Sequence, residues 1–168
     1  ISGIHGPEVD YEGELAVILG EDLRNATPDS AMKAISGYAV ANDVTARWWQ
    51  KKGSGGQWIR GKSFDTFCPL GETVAASEIP DPQDLRLTTK VNGEIRQDAS
   101  TGDMIFTVMD LLIDLSRDMT LLAGTILLTG TPEGVGAGRQ PQQFLEDGDV
   151  VEVEISAIGR ISNPIRTS

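Results

Sequence analysis

Asn92-Gly93 stands between two runs, "LRLTTKV" and "EIRQDA", in which apolar and polar residues alternate. A two-residue hairpin turn of type I′ needs positive φ at both central positions, which Asn and Gly accept more readily than other residues. The pattern therefore predicts two antiparallel strands joined by a tight turn. Other stretches carry the same period of two: "EGELAVILG" (12–20), "YAVANDVTA" (38–46), "TILLTG" (125–130), and a closing pair, "DGDVVEVEI" (147–155) with "GRISNPI" (159–165). In the second of these, Ala39, Ala41 and Asp43 fall on one side.

Two segments break that period. "NATPDSAMKAISG" (25–37) predicts a short helix with Thr27 as N-cap, Pro28 at the first helical position and Gly37 at the exit. "FTVMDLLIDLSR" (106–117) sets Val108, Leu111, Leu112 and Leu115 at helical spacing. "RWWQKK" (47–52) predicts a helical turn, and "KKGSGGQ" (51–57) a flexible loop. Two helices among many strands define an α+β, sheet-rich class.

A chain of 168 residues is one domain's worth. Its 25 acidic residues outnumber 14 basic ones, for a net charge of −11. That balance argues against a nucleic-acid partner, because a phosphate backbone needs a basic surface, and against an anionic membrane for the same reason. Cys68 is the only cysteine, so no intrachain disulfide can form, which fits a reducing compartment. No apolar run approaches the roughly 18 residues of a transmembrane helix, and no signal-peptide pattern is visible.

Candidate chemistry begins at Glu12 and Glu14. On a strand both side chains point the same way while Gly13 faces the other. Two like charges beside a buried run call for a neutralising partner, and a divalent cation with oxygen ligands is one. A solvated strand end is the plainer reading. Asp43, Arg47 and Gln50 are spaced i, i+4, i+7 and share a face if a helical turn follows the strand, although a surface Asp43–Arg47 salt bridge explains that spacing equally. Lys62 lies among Trp58, Phe64 and Phe67, either snorkelling to water or held for a purpose. "TGTPEGVG", from Thr129, offers hydroxyls and backbone amides suited to an anion such as a carboxylate, without a Walker A ending. His5, the only histidine, falls in a flexible-looking N-terminal stretch and is not read as a base. Neither a structural zinc site nor a Ser-His-Asp or Cys-His centre is suggested.

Six motifs occur in an order that resembles the fumarylacetoacetate hydrolase family. They are "VDYEGELAVILG", "GYAVANDVTARWWQ", "GQWIRGKSFDTFCPLG", "VNGEIRQDASTGDMIF", "LLTGTPEGVG" and "GDVVEVEISAIGRISNPI". The likeness covers roughly residues 8 to 165 and extends in more detail to the bacterial and mitochondrial members known as fumarylacetoacetate hydrolase domain-containing proteins. It implies a mixed β-sandwich roll with a few short helices. It also implies a Mg²⁺ or Mn²⁺ site, with Ca²⁺ an alternative, whose ligands match Glu12, Glu14 and Asp43. Lys62 of "GKSFD" matches a catalytic lysine facing the substrate. Arg47 and Gln50 match substrate-binding residues, and Thr131 matches a residue that binds the substrate carboxylate.

Two departures stand out. Trp48 replaces an acidic residue common beside the arginine in relatives. The family's N-terminal lid, with its His-Glu pair, has no counterpart in the motifs, so residues 1–168 are expected to form a single catalytic domain lacking that lid. The resemblance also implies a homodimer, a small 2-oxo or β-dicarbonyl acid as substrate, and a cytoplasmic or mitochondrial-matrix setting. Carbon–carbon cleavage, as acylpyruvate-type hydrolase or oxaloacetate decarboxylase, is the leading expectation. Oxaloacetate tautomerase or 2-hydroxyhepta-2,4-diene-1,7-dioate-type isomerase chemistry is the alternative, and a catalytically silent metal- or metabolite-binding domain is the alternative of another class.

Overall fold

The computed structural model describes residues 1–167. Its strands are β1 (Val9–Asp10), β2 (Gly13–Leu19), β3 (Ile35–Asn42), β4 (Thr45–Ala46), β5 (Val74–Ala75), β6 (Arg86–Val91), β7 (Glu94–Ser100), β8 (Ile126–Leu128), β9 (Val150–Ile155) and β10 (Gly159–Pro164). The helices are α1 (Pro28–Lys33) and α2 (Val108–Leu115). Two four-stranded sheets, ordered β5-β3-β2-β8 and β10-β9-β6-β7, carry the fold, with β1-β4 as a separate pair. Every pairing among these strands is antiparallel. Asn92 and Gly93 both take positive φ, 54° and 80°, and join β6 to β7 as the pattern requires.

The sheets face each other, with β2 packed on β6 and β3 on β9 and β10. On β6 and β9 burial alternates, placing Leu87, Thr89 and Val91, then Val151, Val153 and Ile155, in the interior. β2 is buried on both faces. Leu15, Val17 and Leu19 enter the main core, while Ala16 joins Ala39 and Ala41 in a small second cluster behind the sheet. The small size of those alanines lets Ile18 and Leu128 cover that face.

Both helices begin as their caps dictate. The Thr27 hydroxyl accepts from the Ser30 amide, and the Thr107 hydroxyl from the Asp110 amide. In α2, Val108 and Leu112 are fully buried, with Leu111 and Leu115 half-buried beside them. The first helix is shorter than its sequence suggests. It stops at Lys33 because β3 starts at Ile35, so Gly37 is a strand residue rather than a helix exit. A Cβ at Gly37 would come within 2.5 Å of Thr73 and Val74, so a bare backbone there lets the short strand β5 pair.

Gly13 fixes the placement of its two neighbours. A Cβ on it would lie 2.2 Å from Thr89 Oγ1 and 3.1 Å from Val153 Cγ1 of the opposing sheet. The glycine thus brings β2 against the second sheet on one face and turns Glu12 and Glu14 to the other. Gly13→Ala is expected to cost about 1–3 kcal/mol through overpacking, measured by urea denaturation.

Candidate active site

Glu12 and Asp43 are brought together by the end of the β2–β3 ladder. The register pairs Gly13 with Asn42, and the chain turns directly afterwards. Asn42 Oδ1 accepts from the Glu12 amide at 2.9 Å, and the Asp43 amide donates to the Glu12 carbonyl at 2.8 Å. Glu14, one residue beyond Gly13, turns to the same side. One carboxylate oxygen from each of Glu12, Glu14 and Asp43 lies within 4.8 Å of the others, and all three residues are buried.

Three buried carboxylates so close demand positive charge, and two cations of the chain approach them. Lys62, on a 3-10 turn (Trp58–Lys62), donates from Nζ to Glu12 Oε2 at 2.8 Å, to Thr45 Oγ1 at 2.9 Å, and to Asp43 Oδ2. It does not snorkel. Gly61 makes this approach possible, since a Cβ there would fall 2.7 Å from the Gln50 amide nitrogen. Burial pulls the Lys62 amine down, but hydrogen bonds to Asp43 and Glu12 outweigh it and hold the ammonium above its ordinary range. Arg47 places Nη1 2.6 Å from Glu12 Oε1 and donates to Gln50 Oε1 at 3.2 Å. The spacing from Asp43 suggested a surface pair; instead Arg47 is 7% exposed and turns to Glu12 and Asp10.

Glu14 is the least compensated member. Its Oε2 accepts from the Gly130 amide at 2.6 Å. Burial pushes its carboxyl up to about 8, the Gly130 amide opposes that, and Asp43 and Glu12 reinforce it. Asp43 is raised as well, by burial, against the pull of Lys62. A set of three buried oxygen donors, one of them still short of positive charge, fits a hard divalent cation.

Glu12, Arg47, Gln50 and Lys62 share a cleft of about 360 Å³ that Trp58 and Ala137 help to line. Thr131 stands apart. It lines a separate cavity of about 450 Å³ with Leu15, Met104 and Phe106. Its hydroxyl donates to the Gly13 carbonyl at 2.9 Å and accepts from Gln97 Nε2 at 2.7 Å. With its one O–H so committed, Thr131 ties the loop to β2 and cannot also donate to a substrate carboxylate in this arrangement. The anions met by the loop's backbone are the chain's own: Glu14, through the Gly130 amide, and Asp10, through the Gly136 amide. Trp48 is 43% exposed and packs edge-on to Trp49, with Gly53 beside it. His5 packs at a tilt against Phe64, 4.4 Å between ring centres, and its Nδ1 accepts from the Ser2 amide, so that stretch is an ordered 3-10 turn (Gly3–His5).

The sequence reading passed over Asp10, Thr45 and Gln97. Thr45 falls on the same side as Ala39, Ala41 and Asp43 in "YAVANDVTA", whereas Gln97 carries no comparable signal. Asp10 does, because it continues the alternation of Glu12 and Glu14 in "VDYEGEL".

Residues 3–166 match the model of the fumarylacetoacetate (FAA) hydrolase C-terminal family. The chain belongs to the fumarylacetoacetate hydrolase family. Among its curated family relatives is the mitochondrial oxaloacetate tautomerase fahd2 of Xenopus laevis, 46% identical over 159 residues, which are 94% of this chain and 50% of that protein. Among solved family structures, the fumarylacetoacetate hydrolase of Exiguobacterium antarcticum superposes with a TM-score of 0.92 at 46% identity, over 96% of this chain and 58% of the other. The 2-hydroxyhepta-2,4-diene-1,7-dioate isomerase of Mycobacterium marinum gives 0.88 at 40%, over all of this chain and 62% of the other. The chain spans about half the length of the curated relatives it matches. No helix among the described residues is long and apolar enough to cross a membrane.

Proposed function

We propose that this chain carries the catalytic site of a divalent-cation-dependent keto–enol tautomerase acting on a small 2-oxo dicarboxylic acid of the oxaloacetate type. The resemblance placed carbon–carbon cleavage first. The relatives named as an oxaloacetate tautomerase and a dioate isomerase favour the reverse order. The observation that carries the reading is the convergence of Glu12, Glu14 and Asp43, two of them bound by the Lys62 ammonium, with Glu12 and Lys62 opening onto the Arg47 cleft.

Glu12, Glu14 and Asp43 would hold Mg²⁺ or Mn²⁺, which supplies a Lewis acid against which a substrate oxygen becomes anionic. Arg47 and Gln50 orient the substrate from the adjoining wall, the guanidinium through its charge and the amide through hydrogen bonds. Ketonisation moves one proton from the enol oxygen to the neighbouring carbon. The enol proton leaves to water as the oxygen becomes anionic, the Lys62 ammonium, held beside Glu12 and Asp43, gives a proton to carbon, and the amine then takes one back from water, with no net change. The same ammonium stabilises negative charge on the enolate oxygen. The reading carries with it the homodimer and the cytoplasmic or mitochondrial setting that family resemblance implies.

The test follows the decay of enol absorbance of oxaloacetate with Mg²⁺, against EDTA and Lys62→Ala controls, with pyruvate assayed in the same samples. Faster ketonisation than in both controls, with no extra pyruvate, is the expected result. Pyruvate released above both controls would replace the reading with decarboxylation. Rates equal to the EDTA control would reject turnover by this chain and favour a silent binding domain.

A further inference from the structure

Asp10 is fully buried, and five hydrogen bonds converge on its carboxylate. Oδ1 accepts from the Tyr11 amide at 2.9 Å and the Gly136 amide at 2.7 Å. Oδ2 accepts from the Ala137 amide at 2.9 Å and from Arg47 Nε and Nη2 at 2.9 and 2.8 Å. The carboxylate is therefore the joint between two walls of the cleft, Arg47 on one side and the 3-10 turn Gly136–Gly138 on the other. Gly136 is shaped for this joint. A Cβ there would fall 1.9 Å from the Gln143 carbonyl oxygen and 2.7 Å from Asp10 Oδ1.

The edge of the guanidinium that Asp10 takes matters. Arg presents five N–H donors in a rigid plane, and its Nε–Nη2 edge is one of those that can grip a carboxylate in a fork. Here that edge is occupied by Asp10, while Nη1 faces Gln50 and Glu12. A substrate carboxylate in the cleft can meet only the far end of the guanidinium. Without Asp10 the plane is free to rotate, and the Nε–Nη2 edge competes for the same ligands.

We infer that Asp10 is a positioning residue for the reaction. It fixes which edge of Arg47 faces the cleft and locks the Gly136–Gly138 wall to it. The inference rests on the proposed role of Arg47 in orienting the substrate carboxylate, but the placement of Arg47 can be measured without turnover.

The first arm is ¹⁵N NMR of the Arg47 Nε–H, identified by its loss in Arg47→Lys. In the wild-type chain it should exchange with solvent far more slowly than that of Arg117, whose side chain is 72% exposed. Exchange as fast as Arg117 overturns the inference, whether or not any variant folds and whether or not oxaloacetate is a substrate. In the second arm, Asp10→Asn should release that protection and raise KM on the order of 10-fold, with a smaller change in kcat. In the Arg47→Lys background Asp10→Asn should add little to KM, because the guanidinium it positions is gone. A lowered melting temperature with protection and KM unchanged would mean a purely structural role and overturn it. Wild-type protection without wild-type turnover would reject the tautomerase reading while leaving the placement of Arg47 by Asp10 standing.

Discussion

Asp43→Ala should abolish Mg²⁺ and Mn²⁺ binding in calorimetry and lower kcat/KM for ketonisation by about 100-fold or more, the scale of loss when charge stabilisation at the reacting oxygen goes. Two effects combine. One of three oxygen donors disappears, and Lys62 loses one of its two carboxylate partners, keeping Glu12 and Thr45. A half-free ammonium then sits where the cation should be, opposing it electrostatically. The fold should survive. Asp43 lies just beyond the end of β3, and the bond that docks it is made by its backbone amide to the Glu12 carbonyl, which alanine keeps. Asp29→Ala on the exposed first turn of α1 serves as the control and should change neither quantity. Full metal affinity in Asp43→Ala would sink the assignment of these three carboxylates.

Local rules made much of this legible. Asn92-Gly93 announced its hairpin because few residue pairs take positive φ twice. Thr27 announced its helix because an N-cap hydroxyl satisfies an otherwise unpaired amide, and the apolar spacing of Val108, Leu111, Leu112 and Leu115 announced the other, whose cap Thr107 came to light only in the structure. The carboxylates at 12 and 14 were legible as sharing a face because a strand has period two. Their convergence with Asp43 was not, since it depends on the register Gly13–Asn42 and on a side-chain bond from Asn42. The same limit explains Gly37. Its character as a helix exit was a sound local inference, overridden because β5 has to approach β3 at that point. The part given to Thr131 came from family likeness, on a loop whose hydroxyls the residue pattern already offered to an anion. The structure shows its hydroxyl engaged by Gly13 and Gln97, contacts between segments that no spacing rule links. Asp10 shows the opposite failure. Its signal lay in the same alternation as Glu12 and Glu14, but its partners, Arg47 and the amides of Gly136 and Ala137, come from distant segments.

The stability of the metal-free chain should fall as pH rises from about 5 to 8, and divalent cations should reverse the trend. Glu14 drives this. Burial raises its carboxyl from 4.5 to about 8 in the folded chain. Between those two values the folded state holds a proton that the unfolded state has released. Raising the pH therefore favours unfolding, with a limiting slope of about 1.4 kcal/mol per pH unit for one proton. The contribution is whole below the unfolded value and is lost as pH rises through the folded one. Asp43, raised by burial in the same sense, adds to the slope. A cation needs the carboxylate form, so its binding displaces the proton, and affinity should climb with pH until Glu14 is ionised. Mg²⁺ should thus stabilise the chain little at pH 5 and most near pH 8. Glu14→Gln removes the titration without removing the shape. Its metal-free stability should exceed that of the wild type at pH 8, and the difference should shrink toward pH 5. Urea unfolding of both chains across this range, with EDTA or with excess Mg²⁺, measures all of these quantities. A wild-type curve parallel to that of Glu14→Gln in EDTA would mean that Glu14 is already ionised without a cation. The positive charges of Lys62 and Arg47 would then suffice for the cluster, and the physical case for a metal there would fail.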